Sequence, residues 1–324
     1  MRAFFDPFLL GILISVALAF SFPHWAVCSS GEALDQVASL GISLIFFFYG
    51  VKLNPSQMKA DLGNWKLHLT VQSVTFLVFP LLILLVYLII PVEDYFNLWL
   101  GFFFLAVLPS TVSSSVVMVG LAKGNVPAAI FNASISGLIG LFVSPLWLSL
   151  FISSEETSFN LSQIYYQLLL EILLPVIVGL FLHQFLGSWA NRNKFFLSWF
   201  DKSIILLIIY KSFARSFEMN LFSSISFQHL SGVGVGVLIL FISINFISKA
   251  ISKFFNFSIK DQITTEFCGT KKSLVHGSVF AKILLPASLP LGIILLPIML
   301  YHALQLFVIS FFANRYSRRV NMNQ

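Results

Sequence analysis

The chain has 324 residues, of which 58% are apolar, 16% aromatic and only 10% charged, against roughly 25% charged in an ordinary soluble domain. That balance excludes a soluble enzyme of this size, because the polar residues are too few to cover a water-facing surface. The apolar runs are long and continuous, which excludes a membrane barrel built from alternating strands of roughly 10 residues. The net charge of +6 needs no polyanionic partner such as nucleic acid once the loops are assigned, and two cysteines, Cys28 and Cys268, make neither a disulfide scaffold nor a metal centre.

In chain order, the apolar runs predict spans at about 7–22, 35–53, 67–90, 97–119, 126–152, 163–187, 199–217, 229–250, 261–284 and 287–313, each near the ~20 residues that cross a bilayer. Ala17 and Ala19 near the end of the first run resemble a signal-peptide cleavage site. Asp6-Pro7 is a poor leader for one, and every later run is a span, so the first run reads as a span too. With both termini in the cytoplasm, the inner segments hold Arg2, Lys52, Lys59, Lys66, Lys123, Arg192, Lys194, Lys202, Lys249, Lys253, Lys260, Arg315, Arg318 and Arg319, which is 14 of the 19 basic residues. The outer loops hold Glu93, Asp94, Glu155, Glu156 and Glu218. This positive-inside asymmetry requires an even number of spans and places the protein in a plasma membrane. Lys211 and Arg215, at the outer end of the seventh span, are the exception: they line a protein-walled vestibule or mark a local miscount.

The first span opens Asp6-Pro7-Phe8-Leu9-Leu10-Gly11 and the sixth contains Leu174-Pro175-Val176-Ile177-Val178-Gly179. In each half five spans follow, and the fourth of each is polar. Repeats of about 6–152 and 163–313 with an odd number of spans have opposite orientation, the plan of secondary transporters whose interrupted helices meet near the midplane. The whole chain, 1–324, then forms one transmembrane domain.

The fourth span reads Leu108-Pro109-Ser110-Thr111-Val112-Ser113-Ser114-Ser115. Proline breaks the helical ladder, and within the bilayer the freed carbonyls must find partners inside the protein. Five hydroxyls beside that break offer the oxygens that a hard cation such as Na⁺ takes. Each serine by itself also suits close helix packing. Lys123-Gly124-Asn125-Val126-Pro127 reads as a short cytoplasmic turn, and in the next span Asn132 and Ser136 share a face that either lines the same cavity or binds helices together.

The ninth span reads Thr264-Thr265-Glu266-Phe267-Cys268-Gly269-Thr270-Lys271-Lys272-Ser273. Lys271 lies ten residues in from Asp261, roughly 15 Å deep at helical rise. A charge at that depth costs about 2.5–3.5 kcal/mol on the translocon scale. Glu266, Lys271 and Lys272 are therefore expected to be functional, though a Glu–Lys pair holding two broken helices together is also compatible. Gln72 and Thr75 in the third span are within reach of the same centre. Glu171, His183, His276 and His302 read as isolated structural residues, Cys268 as packing, and the Gly232-x-Gly234-x-Gly236 run as a helix-packing face.

These segments resemble the bile acid:sodium symporter family, over nearly the whole chain from Asp6 to about Phe312 and closest to its branch outside the established bile acid carriers. The resemblance rests on Phe46-Phe47-Phe48-Tyr49-Gly50, Asn64-Trp65-Lys66-Leu67-His68, Leu108-Pro109-Ser110-Thr111-Val112, Lys123-Gly124-Asn125-Val126-Pro127-Ala128-Ala129 and Glu266 to Leu274. It implies an all-α polytopic fold of ten transmembrane helices in two inverted five-helix repeats. Spans 1, 2, 6 and 7 would form a panel and the rest a core, with interrupted helices 4 and 9 crossing. It also implies two Na⁺ ions at that crossing, with Glu266 matching a shared ligand and Ser114 or Ser115 matching a fourth-span serine. The asparagine that follows that serine in the family is absent here, and Gln72 or Thr75 falls near a third-span glutamine.

Where the family has Gln-Asn-Ser, this chain has Thr270-Lys271-Lys272. An ammonium ~4 Å from a cation repels it by about 4 kcal/mol at an effective dielectric near 20, so a lysine is expected to stand in for one sodium. The candidate cation-binding or coupling set is Glu266, Ser113, Ser114, Ser115, Asn132, Gln72 and Thr270, with Na⁺ placed at Glu266. Lys271 and Lys272 supply substrate or coupling charge, and Pro109 and Gly269 mark the breaks. The expected function is secondary active transport of a small organic anion by alternating access, with Na⁺ as coupling ion and no other cofactor. The alternatives are proton-coupled or uncoupled transport with a lysine replacing the ion, or a non-transporting membrane regulator. No nucleophile with a base, metal-ligand spacing or phosphate loop points to an enzyme. The lipid bilayer and the anion are the only partners the sequence calls for, with no nucleic acid and no obligate protein partner.

Overall fold

The structure, a computed structural model, describes residues 7–26, 29–53, 63–89, 95–152, 161–224, 226–286 and 288–322, with residues 29–31, 113, 224, 227 and 307–322 described by backbone alone. Asp6, of the repeat motif, lies outside them. Among the described residues all regular structure is helical. Five helices are long and apolar enough to cross a membrane, and three shorter ones are apolar, so the chain is an all-helical integral membrane protein.

Helix α1 spans Pro7–Ser21 and α2 Ser29–Lys52. Helix α3 runs Trp65–Ile89 with a π-turn at Val74–Val78. The predicted fourth span is two helices, α4 Phe96–Val107 and α5 Ser113–Leu121, and α6 is Val126–Ile152. Helix α7 is Leu161–Phe181, with a π-turn at Leu169–Leu173, and α8 is His183–Arg192. Helices α9, Lys194–Glu218, and α10, Phe227–Phe254, follow. The predicted ninth span is again two helices, α11 Ile259–Gly269 and α12 Leu274–Leu284, before α13, Leu291–Met322.

Each π-turn precedes a proline by two residues, Pro80 and Pro175. Proline has no N–H, so widening the preceding turn lets the helix continue past it, and one carbonyl in that turn is left for another partner.

Packing divides the helices into two groups. Helix α2 packs on α7, α8 and α9, and α1 on α9. In the second group α4 packs on α3, α6 and α13, α10 on α11 and α13, and α11 on α3, α5 and α6. The groups meet where α12 touches α7 and α9 on one side and α13 on the other, where α9 packs on α13, and where α6 packs on α7.

The α2–α7 crossing is backbone on backbone. A Cβ on Gly50 would collide with the Val176 carbonyl, and one on Gly179 with the Phe47 carbonyl. Gly50 belongs to the Phe46–Gly50 motif and Gly179 to the repeat motif, so their smallness is what admits the close approach. The Gly232, Gly234, Gly236 run departs from expectation. A Cβ at Gly232 or Gly234 meets nothing within 4 Å, and only Gly236 packs, on Phe102.

Candidate functional site

Both broken spans end a helix in the protein interior, where every orphaned carbonyl needs a donor. At the end of α4, the Leu105 carbonyl accepts from the Leu108 N–H at 3.4 Å and the Pro109 carbonyl from the Ser273 N–H at 2.9 Å. The Val107 carbonyl accepts from Ser144 Oγ at 2.7 Å. The Ser110 N–H, which a continuous helix would give to Ala106, goes to Ser136 Oγ at 2.9 Å. That leaves the carbonyls of Ala106 and Leu108.

Lys272 fills the gap. Its Nζ donates to Ala106 O at 2.6 Å, Leu108 O at 2.7 Å and Thr75 O at 2.8 Å. Thr75 lies in the π-turn of α3, five residues before Pro80, so the proline denies its carbonyl a π-helical donor. The three carbonyls thus come free for one reason, the helix breaks, and an ammonium has the three donors they require. Phe79 presents its ring face 4.2 Å away, and a cation also suits the negative C-terminal end of α4. Lys272 is 0% exposed. The Lys272 Nζ thus sits in a cage of three carbonyl oxygens.

The end of α11 is closed by hydroxyls. Thr270 Oγ1 donates to Glu266 O at 2.6 Å, Ser110 Oγ to Cys268 O at 2.7 Å, and Tyr301 to Thr270 O at 2.6 Å. Thr75 Oγ1 reaches Gly269 O at 3.4 Å. Gly269 does not adopt a left-handed backbone. It ends the helix because α3 crosses there, and a Cβ would sit 3.1 Å from Val74 Cγ1. Gln305 holds the Lys272 peptide from both sides, accepting from its N–H at 2.9 Å and donating to its carbonyl at 2.8 Å.

Lys271, also 0% exposed, donates to Ser114 O at 2.7 Å and so ties the ninth-span break to the start of α5. Thr111 Oγ1 bonds the Ser114 and Ser115 hydroxyls at 2.7 and 2.9 Å. The Ser113 side chain lies outside the described residues. Glu266 is 7% exposed on α11, one turn before Thr270. A carboxylate and a group of hydroxyls are hard oxygen donors of the kind Na⁺ takes.

Asn132 takes the second of its two expected roles and binds helices together. It bonds His68 Nδ1 at 2.9 Å and accepts Gln72 Nε2 at 3.2 Å on Oδ1 and 3.1 Å on its carbonyl. Gln72 and Asn132 therefore clamp α3 to α6, whereas Ser136, one turn further on, reaches the break. The Lys123–Pro127 turn docks on α11: Asn125 Nδ2 donates to Asp261 at 2.9 Å and its N–H to Thr264 Oγ1 at 3.0 Å, while its Oδ1 caps α6 through the Ala128 N–H.

Sequence reasoning missed Gln305 and Tyr301. The available signal was three polar-tipped residues, Tyr301, His302 and Gln305, on one face of the otherwise apolar stretch 291–309 of the last helix. It also read Glu171 and His276 as isolated. Ser273 Oγ bonds His276 Nδ1 at 2.9 Å and accepts its N–H at 3.2 Å, which starts α12. Glu171 lies within electrostatic reach of Lys282.

A profile of the SBF-like CPA transporter family matches residues 6–318. The chain is 36% identical to the uncharacterized protein PA2026 of Pseudomonas aeruginosa, over 97% of this chain and 93% of that protein. It is 34% identical to YfeH of Escherichia coli K12, designated a symporter by name, over 98% and 95%. With sodium/bile acid cotransporter 7 of Danio rerio it shares 30% identity over 92% and 90%.

Proposed function

Because the chain belongs to the SBF-like CPA transporter family, as its resemblance to bile acid:sodium symporters led us to expect, we propose that this membrane transporter is a secondary active carrier of a small organic anion. It works by alternating access across a plasma membrane, with both termini cytoplasmic. In this reading α4 with α5 and α11 with α12 are single interrupted spans among ten, in two inverted repeats. The group built on α1, α2, α7 and α9 is the panel, and the rest is the core.

The observation that carries the anion is the Lys272 ammonium, held by three carbonyls next to Lys271. With Glu266, Lys271 and Lys272 all ionised the charge at the crossing sums to a net positive one, which favours a negative cargo. The name of the Danio rerio relative pairs sodium with a bile acid, an organic anion. Coupling is by Na⁺ at Glu266, with Thr270, Ser114 and Ser115 as further oxygen donors.

A second reading has its own support. Since a lysine amine fills the carbonyl cage, Lys272 stands where a bound cation would, and coupling passes to protons carried by a lysine or is lost. No enzymatic step, protein partner or nucleic acid enters either reading.

The test joins two measurements on purified protein. Thermal stability is compared in Na⁺, K⁺ and choline, where a ligand at a hundred times its Kd stabilises by about 2.7 kcal/mol. Uptake of a panel of organic anions into proteoliposomes is measured under Na⁺ or pH gradients. A Na⁺-specific shift lost in Glu266→Ala supports sodium coupling. No Na⁺ shift, with pH-driven uptake lost in Lys271→Met or Lys272→Met, supports the second reading. No anion uptake under any gradient overturns transport and leaves a membrane regulator.

A further inference from the structure

A second charged cluster lies away from the crossing, on the boundary between the two helix groups. Lys282 of α12 donates from Nζ to Ser39 Oγ at 2.7 Å and to the Asp35 carbonyl at 3.1 Å, both on α2. Lys211 of α9 pairs with the Asp35 carboxylate at 2.6 Å. Glu171, in the π-turn of α7, lies within electrostatic reach of Lys282, and its Oε2 is buried without a hydrogen-bond partner. Three helices of one group thus converge on a single lysine of the other, and the cluster has one carboxylate oxygen to spare.

We propose that Glu171 is a proton-binding site whose occupancy governs whether α12 stays bridged to α2, α7 and α9. With Glu171 ionised, Asp35 and Glu171 balance Lys211 and Lys282. A proton on Oε2 removes one negative charge and leaves two ammonium groups beside one carboxylate. Lys211 and Lys282 both bond Asp35, through its carboxylate and its carbonyl, so the excess positive charge pushes α12 away from the other group. The sign is fixed: lower pH loosens the bridge.

The other charged and titratable groups around α7 do not offset this. Helix α2 carries Glu32, which is exposed, and Tyr49 and Lys52 toward its far end, where Tyr49 bonds Ser134 and Lys52 bonds Asp201. Helix α8 contributes His183, bonded to Val51 O at 2.7 Å, and Arg192 in its last turn at the far end, and α12 also carries His276, bonded to Ser273. Helix α6 has no titratable side chain. The inference rests on the proposed motion of the two groups, and it adds proton control of that motion.

Hydrogen exchange on the full-length protein in lipid nanodiscs tests it, in choline buffer without substrate. Rates are expressed as protection factors, which remove the intrinsic pH dependence of exchange. Between pH 8 and pH 5 the wild type is expected to lose protection about fivefold or more at 29–40 and 274–284, within the tenfold per pH unit that one linked proton allows. Glu171→Gln should show the low protection at both pH values, and Lys282→Arg should keep the wild-type response. A wild type whose protection does not change with pH, or a Glu171→Gln protein that keeps the pH response, overturns the proposal. The readout needs no cargo, so a chain that carries no anion yet shows the exchange pattern refutes transport alone, and one that carries an anion without the pattern refutes the bridge alone.

Discussion

Replacing Lys272 by methionine keeps the apolar stem and removes the only charge in the carbonyl cage. The carbonyls of Thr75, Ala106 and Leu108 then lose a donor together. Leaving a buried acceptor unsatisfied costs roughly 1–3 kcal/mol each. Relief from holding a desolvated ammonium, several kcal/mol by itself, works the other way. The net loss expected is about 3–5 kcal/mol, the range found when one partner of a buried charged pair is removed. By soluble-protein scaling that lowers Tm on the order of 10 °C. The assay is a thermal unfolding scan in detergent, in choline buffer so that no small cation substitutes. Lys272→Ala adds a diagnostic, because it opens room for a free amine. Propylammonium should restore a large part of its Tm, whereas choline, too bulky and without N–H donors, should not. Lys272→Met, whose side chain still fills the stem channel, should not respond. A methionine variant as stable as the wild type, or an alanine variant indifferent to propylammonium, would refute the idea that these carbonyls need a cation.

The remaining predictions concern packing and the two breaks. Gly50→Ala drives a methyl group into the Val176 carbonyl and should cost at least about 2 kcal/mol as overpacking, while Gly232→Ala, with open space around it, should be neutral or gain up to about 1 kcal/mol of helix propensity; paired Tm measurements separate them. Gln305→Leu strips both hydrogen bonds from the Lys272 peptide and should destabilise by roughly 2–4 kcal/mol. The same scan reads it, and an unchanged Tm would mean that the peptide has other partners. Asn125→Ala removes a helix cap and the bond to Asp261. It should lower stability by about 1–2 kcal/mol and speed amide exchange at 123–128.

Much of the architecture was legible because bilayer physics is written locally. Ten apolar runs were placed from hydropathy, and each of their predicted starts lies within six residues of a described helix start, since an apolar stretch in lipid has little choice but to be helical. Pro109 announced the fourth-span break for the same local reason, by lacking an N–H. The ninth-span break was announced only by unpaired charge at depth, as Gly269 serves packing against Val74 rather than a special backbone.

Partnership was not legible. Asn132 and Ser136 share a helix face in sequence, yet one holds α3 and the other the break, because a single helical turn separates two different neighbours. Glu171 and Lys282 lie more than a hundred residues apart and read as unrelated until α7 and α12 met. The sequence by itself determined that Lys271 and Lys272 had to be buried, since no span can hide such charges elsewhere. Only the tertiary structure decided what neutralises them. For Lys272 the partners are three carbonyls, two set free by the fourth-span break and one by Pro80, a combination that exists only once α3, α4 and the ninth-span break converge.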